Sequence, residues 1–200
     1  VLFIADEVHT GIARTGRLLA TCGNCSCVDK NCSGTPDVKP DVLILGKALS
    51  GGAYPVSAVL ANNTIMNVIK PGNHGSTFGG NPIAASVAVA ALDVVRDEDL
   101  AENAYRLGEI FRQELSSFAK ENKWVKTVRG KGLLNAILIN DTEDSTTAWD
   151  ICIKLRDNGL LAKPTHGNII RFAPPLVINE KELLDCISII KNTISDFEKC

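Results

Sequence analysis

Two blocks of this chain carry no polar side chain at all: residues 1–5 (Val-Leu-Phe-Ile-Ala) and residues 42–45 (Val-Leu-Ile-Leu). Apolar runs of this length, closed by glycine or charged residues, suit strands covered on both faces of a parallel sheet. Residues 54–61 read as a third strand, ended by Asn62-Asn63. Between the first two runs, residues 7–20 have loop character with one short helical turn. Residues 21–40, with two prolines and a crowd of cysteines, read as a surface excursion. Residues 70–82 form a glycine-rich loop.

The periodicity then changes. Asn81 followed by Pro82 is an N-cap with proline in the first helical position. The Ala/Val-rich helix it opens runs to about Val95, and its near lack of charge predicts deep burial. From Asp97, the recurrence of Leu100, Ala104, Leu107, Phe111, Leu115 and Phe118 is the stripe of a long amphipathic helix linking two domains. Residues 125–139 predict two short strands around Gly130-Lys131-Gly132, and residues 147–158 a helix stopped by Gly159. Residues 160–163 and 169–172 flank a hairpin-like turn. Asn179 with Glu182 makes a capping-box start for a last helix. The expected fold is α/β: residues 1–100 in a domain with a mostly parallel sheet and helices, residues 101–200 in a smaller α+β domain.

Bulk composition narrows the function classes. Among 200 residues the hydrophobic fraction is 45%, the charged fraction 22% and the net charge −2. This is an ordinary globular balance with no electrostatic footprint for nucleic acid or an anionic membrane. No apolar run approaches the roughly 20 residues of a membrane span. Val1 stands inside what reads as a covered strand, so an N-terminal part is expected to precede it, and any targeting peptide with it. The seven cysteines are an odd number and form no even disulfide framework. A reducing interior is expected, cytoplasmic or mitochondrial matrix. Cys22, Cys25, Cys27 and Cys32 crowd together; a family-specific loop is the plainest reading, with a zinc site of atypical spacing or a redox-sensitive pair as alternatives. The three histidines are too far apart to make a metal site.

Candidate chemistry sits at the ends of the first two runs. Ligands in parallel sheets collect outside the carboxyl ends of the strands. There the first run ends in Asp6-Glu7, and Lys47 follows the second behind one glycine. An amine and a carboxylate in one crevice are what pyridoxal phosphate requires: a covalent anchor, and an anion facing the pyridine nitrogen. Alone, such a lysine is more often a surface lysine and such an aspartate a strand-end cap.

The ordered set of motifs resembles the class III, fold-type I aminotransferases. The resemblance rests on Asp6-Glu-Val-His-Thr-Gly-Ile-Ala-Arg-Thr-Gly16, Gly46-Lys-Ala-Leu-Ser-Gly-Gly-Ala-Tyr-Pro-Val-Ser-Ala-Val-Leu60, Ile69-Lys-Pro-Gly72 and His74-Gly-Ser-Thr-Phe-Gly-Gly-Asn-Pro82. Val128-Arg-Gly-Lys-Gly-Leu-Leu-Asn-Ala-Ile137, Arg156-Asp-Asn-Gly-Leu-Leu-Ala-Lys-Pro-Thr-His-Gly167 and Ile170-Arg-Phe-Ala-Pro-Pro-Leu-Val-Ile178 complete it. It covers nearly the whole chain outside the cysteine insert, and implies the C-terminal half of such an enzyme: part of the large coenzyme domain plus the small domain.

The activity it implies is transfer of the terminal amino group of L-ornithine to 2-oxoglutarate, giving glutamate 5-semialdehyde and glutamate. Family members acting on acetylornithine or 4-aminobutyrate are the rival reading. A truncated chain or interaction scaffold, inactive by itself, is the alternative from another class. By resemblance, Lys47 is the covalent anchor and proton shuttle, and Asp6 the partner of the ring nitrogen. Ser76 and Thr77 bind the coenzyme, Thr77 through the phosphate held by the neighbouring subunit, which implies a homodimer with active sites at the subunit interface. Arg171 takes a substrate carboxylate, although an arginine within Ile169-Ile-Arg-Phe172 also suits a paired core cation. His9 replaces the family's usual glutamine beside the coenzyme's phenolic oxygen, so a titrating imidazole is expected there.

Overall fold

The computed structural model describes residues 1–22 and 39–197. In chain order the strands and α-helices are β1 (Ile4–Asp6), β2 (Val42–Leu45), β3 (Ala58–Ala61), α1 (Asn63–Met66), α2 (Pro82–Asp97), α3 (Leu100–Ala119), β4 (Val125–Lys131), β5 (Leu134–Ile139), α4 (Thr147–Asp157), β6 (Lys163–Thr165), β7 (Ile169–Phe172) and α5 (Glu180–Ser195). Short 3₁₀ turns occupy Ala20–Cys22 and Lys47–Ser50. No described helix is long and apolar enough to cross a membrane. The chain divides into two compact units, Val1–Glu102 and Asn103–Cys200.

The first unit is built on a three-stranded sheet in the order β1-β2-β3. β1 and β2 run parallel, with Ala5 opposite Leu43 and Asp6 opposite Ile44. β3 returns antiparallel, so the described sheet is mixed. The third strand is shorter than its apolar pattern, because residues 54–57 enter without ladder partners. α2 starts where the sequence predicts: the Asn81 side chain accepts a hydrogen bond from the Ala84 N–H at 2.8 Å, and Pro82 follows.

Two expectations about burial fail in this unit. The strands are not covered on both faces: of β1 only Ala5 is buried, and no β2 residue is. α2 is not deep in a core either; Ala84 alone is buried, while Ile83 is 62% and Val89 60% exposed. The apolar pattern records surface meant to be covered, and within this chain α2 packs chiefly on the turn Lys47–Ser50. Gly51 closes that turn in the left-handed conformation, with φ +60°.

The second unit is a four-stranded antiparallel sheet, β4-β5-β7-β6, with helices on one face. β5 and β7 alternate strictly between half-buried and buried residues. Ile137, Ile139, Ile170 and Phe172 therefore meet Ala104, Leu107, Phe111 and Leu115 of α3, Ile151 and Leu155 of α4, and Leu183, Ile187, Ile190 and Ile194 of α5 in one core. Of the predicted α3 stripe, Ala104, Leu107, Phe111 and Leu115 line that core and Phe118 packs partly buried against it, whereas Leu100 is buried but belongs to the first unit. Gly108 brings α3 against the β4–β5 turn so closely that a Cβ would stand 2.0 Å from the Gly132 carbonyl oxygen. The buried Asn135 is satisfied there: its amide donates to Gly132 O at 3.0 Å and its carbonyl accepts from Arg112 at 2.8 Å.

Local punctuation follows the sequence closely. α4 ends in the paired bonds of a Schellman motif, Gly159 N–H to Arg156 O and Leu160 N–H to Leu155 O, both at 2.9 Å. Gly159 takes the left-handed conformation that this motif needs, with φ +89°. The capping box at Asn179 and Glu182 is complete, with bonds of 2.9 and 3.0 Å. The hairpin pairs residues 163–165 rather than 160–163 with β7, because the left-handed His166 and Gly167 place the reversal later.

Candidate active site

β1 and β2 are parallel neighbours, so their carboxyl ends open on the same side of the sheet. Asp6 is the last residue of β1, and Lys47 stands two residues beyond the end of β2. The two tips are tied together. The Glu7 N–H donates to the Ile44 carbonyl at 2.9 Å, and a Cβ built on buried Gly46 would meet both Val8 methyl groups at 3.5 Å. Asp6 and Lys47 therefore both lie at the carboxyl end of the sheet, and both are exposed.

Lys47 has φ +45°, a left-handed conformation in a residue that carries a Cβ. Such geometry costs on the order of 1–3 kcal/mol and persists where the surrounding structure over-determines it. Here Gly46 is extended and the turn Lys47–Ser50 starts at once, closed by Leu49 N–H to Gly46 O at 3.0 Å. Ile12 (φ +54°) and Ala13 (φ +69°), in the turn after β1, share this left-handed conformation. The Asp6 carboxylate accepts one hydrogen bond through Oδ1, from Val8 N–H at 3.0 Å. Oδ2 carries no other bond among the described residues.

The remaining candidates are more dispersed. His9 lies exposed in the turn after β1. Ser76 and Thr77 lie exposed in the glycine-rich loop, where the Ser76 hydroxyl accepts from Gly79 N–H at 3.0 Å. Arg171 is on β7 in the second unit, on the sheet face opposite the core, half-buried and without an ion pair among the described residues. That placement removes the core-cation reading: Ile170 and Phe172 point inward and Arg171 between them points out. Among the described residues, no three His, Cys, Asp or Glu side chains gather as a metal cluster. The proposed loop, zinc and redox roles of the Cys22, Cys25, Cys27 and Cys32 insert fall almost wholly outside the described residues; Cys22 itself is a half-buried free thiol.

One residue of this region escaped the motif reading. Glu7, beside Asp6, is 2% exposed. Its carboxylate accepts from the Thr10 hydroxyl at 2.8 Å and from the backbone N–H groups of Ala20 and Thr21 at 2.9 and 2.8 Å. Burial alone would raise its pKa, but these hydrogen bonds outweigh that and hold it below the ordinary carboxylate value. An acidic residue placed three before a threonine and just past a strand is a weak local signal, and the bonds to Ala20 and Thr21 left no trace in the spacing.

An exposed lysine with a left-handed backbone and an exposed aspartate thus stand at the carboxyl ends of two parallel neighbouring strands. The comparisons with known proteins narrow this. Residues 1–194 match the family described as Aminotransferase class-III. The chain is 60% identical over 194 residues to the mitochondrial ornithine aminotransferase of Drosophila ananassae, covering 97% of this chain and 41% of that protein. It superposes with a TM-score of 0.88 on the acetylornithine aminotransferase of Elizabethkingia anophelis at 65% identity, covering 98% of this chain and 46% of that one. With the ornithine δ-aminotransferase of Plasmodium falciparum the TM-score is 0.87 at 49% identity, covering 98% and 46%.

The chain belongs to the class III aminotransferases and has the α/β fold of the fold-type I enzymes. The family is dependent on pyridoxal phosphate. This chain spans less than half the length of those relatives.

Proposed function

We propose that the complete protein containing this chain is a pyridoxal-phosphate-dependent ornithine aminotransferase, passing the terminal amino group of L-ornithine to 2-oxoglutarate. One observation supports this above the rest: 60% identity to an ornithine aminotransferase across 97% of the chain, in a segment whose fold sets an amine and a carboxylate at neighbouring strand tips. When bound, pyridoxal phosphate supplies an electron sink for the carbon that carries the transferred nitrogen. Lys47 would hold the coenzyme covalently, and its amine would carry the proton on and off that carbon. The free Oδ2 of Asp6 holds the ring nitrogen protonated. This donor set fits the group, because Lys47 and Asp6 are both exposed at the carboxyl ends of neighbouring parallel strands and Asp6 has one carboxylate oxygen without a bond among the described residues.

Ser76 and Thr77 offer hydroxyls for the phosphate, Thr77 to that of a second subunit, so the active form is a homodimer with sites at its interface. Arg171, half-buried and without a carboxylate partner among the described residues, takes a substrate carboxylate in its planar fork. His9 donates to the phenolic oxygen in place of a glutamine amide. The mitochondrial designation of the Drosophila relative supports the matrix as the compartment.

A second reading has its own support, since the Elizabethkingia structure at 65% identity carries the name acetylornithine aminotransferase. Steady-state assays of the complete protein with 2-oxoglutarate and, separately, L-ornithine, N-acetylornithine and 4-aminobutyrate decide between them. Preference for ornithine is the expected result; a higher kcat/KM for acetylornithine would overturn it. Borohydride reduction of the coenzyme-loaded protein, followed by peptide mapping, is expected to label Lys47. Label on any other lysine removes the assignment of the site.

A further inference from the structure

Glu7 is the buried ionised group of the first unit that the proposed chemistry leaves without a task. Every hydrogen-bonding group of this residue is engaged. Its N–H donates to Ile44 O and its carbonyl accepts from Gly11 N–H, both at 2.9 Å. Its Oε2 accepts from the Thr10 hydroxyl and the Ala20 N–H, and its Oε1 from the Thr21 N–H. Gly11 is packed so tightly on this arrangement that a Cβ there would lie 2.9 Å from the Glu7 carbonyl oxygen. One residue thus pins the tip of β2, the turn after β1 and the 3₁₀ turn Ala20–Cys22 together.

Asp6 precedes Glu7 directly, and its own anchor is the Val8 N–H at 3.0 Å. Both neighbours on which the aim of the Asp6 carboxylate depends, Glu7 and Val8, are therefore set by the Glu7 bonds. We propose that Glu7 is a positioning residue: its buried carboxylate fixes the turn after β1 so that Asp6 is held on the ring nitrogen of pyridoxal phosphate. This rests on the coenzyme reading above and adds to it a group that never touches the coenzyme. Misplacing a working group by about 1 Å is enough to cost orders of magnitude in its effect.

The chemistry makes glutamine the informative substitution. Each carboxylate oxygen of Glu7 receives a backbone N–H, so either orientation of a Gln amide sets an NH₂ donor against a donor. Shape is retained while the network is broken. A merely structural tether would lower stability without altering the coenzyme's environment.

The test uses the complete protein loaded with pyridoxal phosphate, comparing wild type, Glu7→Gln, Thr10→Val and Ile137→Val. Ile137→Val is a stability control in the other unit. Measured are the melting temperature, the coenzyme dissociation constant, and the pH dependence of the bound coenzyme's absorbance. Glu7→Gln is expected to weaken coenzyme binding about tenfold or more and to displace the absorbance–pH profile. Thr10→Val, which removes a single bond to Oε2, does both to a smaller extent, and it decides the matter if Glu7→Gln does not fold. Ile137→Val lowers the melting temperature and leaves the other two readings alone. Unchanged binding and an unchanged profile in folded Glu7→Gln, or in Thr10→Val if the former does not fold, would overturn the positioning role. Failure of the wild-type protein to bind pyridoxal phosphate would instead sink the proposed function, and this proposal with it.

Discussion

The two units answer the same kind of sequence pattern in opposite ways. In the second unit the apolar positions of α3, β5, β7, α4 and α5 close on one another, and residues such as Leu107, Leu115, Ile137, Ile151 and Leu155 are fully buried. In the first unit Phe3, Ile4, Val59, Leu60, Ile83 and Val89 remain exposed although their pattern is no less apolar. The second unit contains its own core. The first carries apolar faces that the described residues do not cover, in a chain less than half as long as its relatives. Hydrophobic periodicity reports which face seeks cover, and only the packing partners decide whether it receives any.

The contrast can be broken most severely in the core of the second unit. Leu107→Ala should destabilise that unit by about 2–5 kcal/mol through lost burial and a residual cavity, read from urea titration of tertiary fluorescence. Ile83→Ala, at a position 62% exposed, should shift the same curve of this chain by less than about 0.5 kcal/mol. Equal costs would refute the distinction between the units.

Gly108→Ala should cost about 1–3 kcal/mol by overpacking, since its Cβ would collide with the Gly132 backbone at 2.0 Å. Gly52→Ala in the first unit has no atom within 4 Å of the new Cβ. Its cost is limited to the strain of its left-handed backbone, about 1 kcal/mol. A melting-temperature comparison of the two checks the ordering. Asn179→Ala should cost about 1 kcal/mol by removing the capping box of α5, whereas Asn179→Asp, which still accepts from Glu182 N–H, should retain most of that stability.

The smallest effect separates the units by pH. The Glu7 pKa in the folded chain lies below its unfolded value. Its contribution to stability is therefore fully present above the ordinary carboxylate pKa of about 4.3. It is lost as pH falls through the lower, folded value. Acid titration followed by hydrogen exchange should show protection at Ala20 and Thr21 falling in that window, and Glu7→Gln should abolish the dependence. Protection that falls equally in the Gln variant would show that another group is responsible.

Much of the fold could be read in advance because its signals are local. The Asn81-Pro82 start of α2, the Gly159 stop of α4 and the Asn179/Glu182 box each depend on backbone groups within a few residues, so spacing carries the information. The α3 stripe was equally plain, since a helix repeats its face every three or four residues. Strand limits were less so: residues 54–57 and 160–162 have strand-like character but no ladder partners, and pairing is a property of two segments rather than one. At the candidate site, Lys47 and Asp6 stood out because both follow uniform apolar runs. Glu7 did not, because its partners Ala20 and Thr21 lie thirteen and fourteen residues away and bind through backbone N–H groups that any residue possesses.

The amino-acid order by itself determined the elements, their caps, the apolar faces and the residue types available for chemistry, since each of these is set by steric and solvation preferences over a few neighbouring positions. Tertiary structure alone decided which faces were covered, that the β1 and β2 tips open side by side, that Lys47 bears a left-handed backbone, and that Arg171 points away from the core. Those outcomes depend on contacts between segments far apart in the chain, where burial, hydrogen bonding and steric exclusion act on all partners at once.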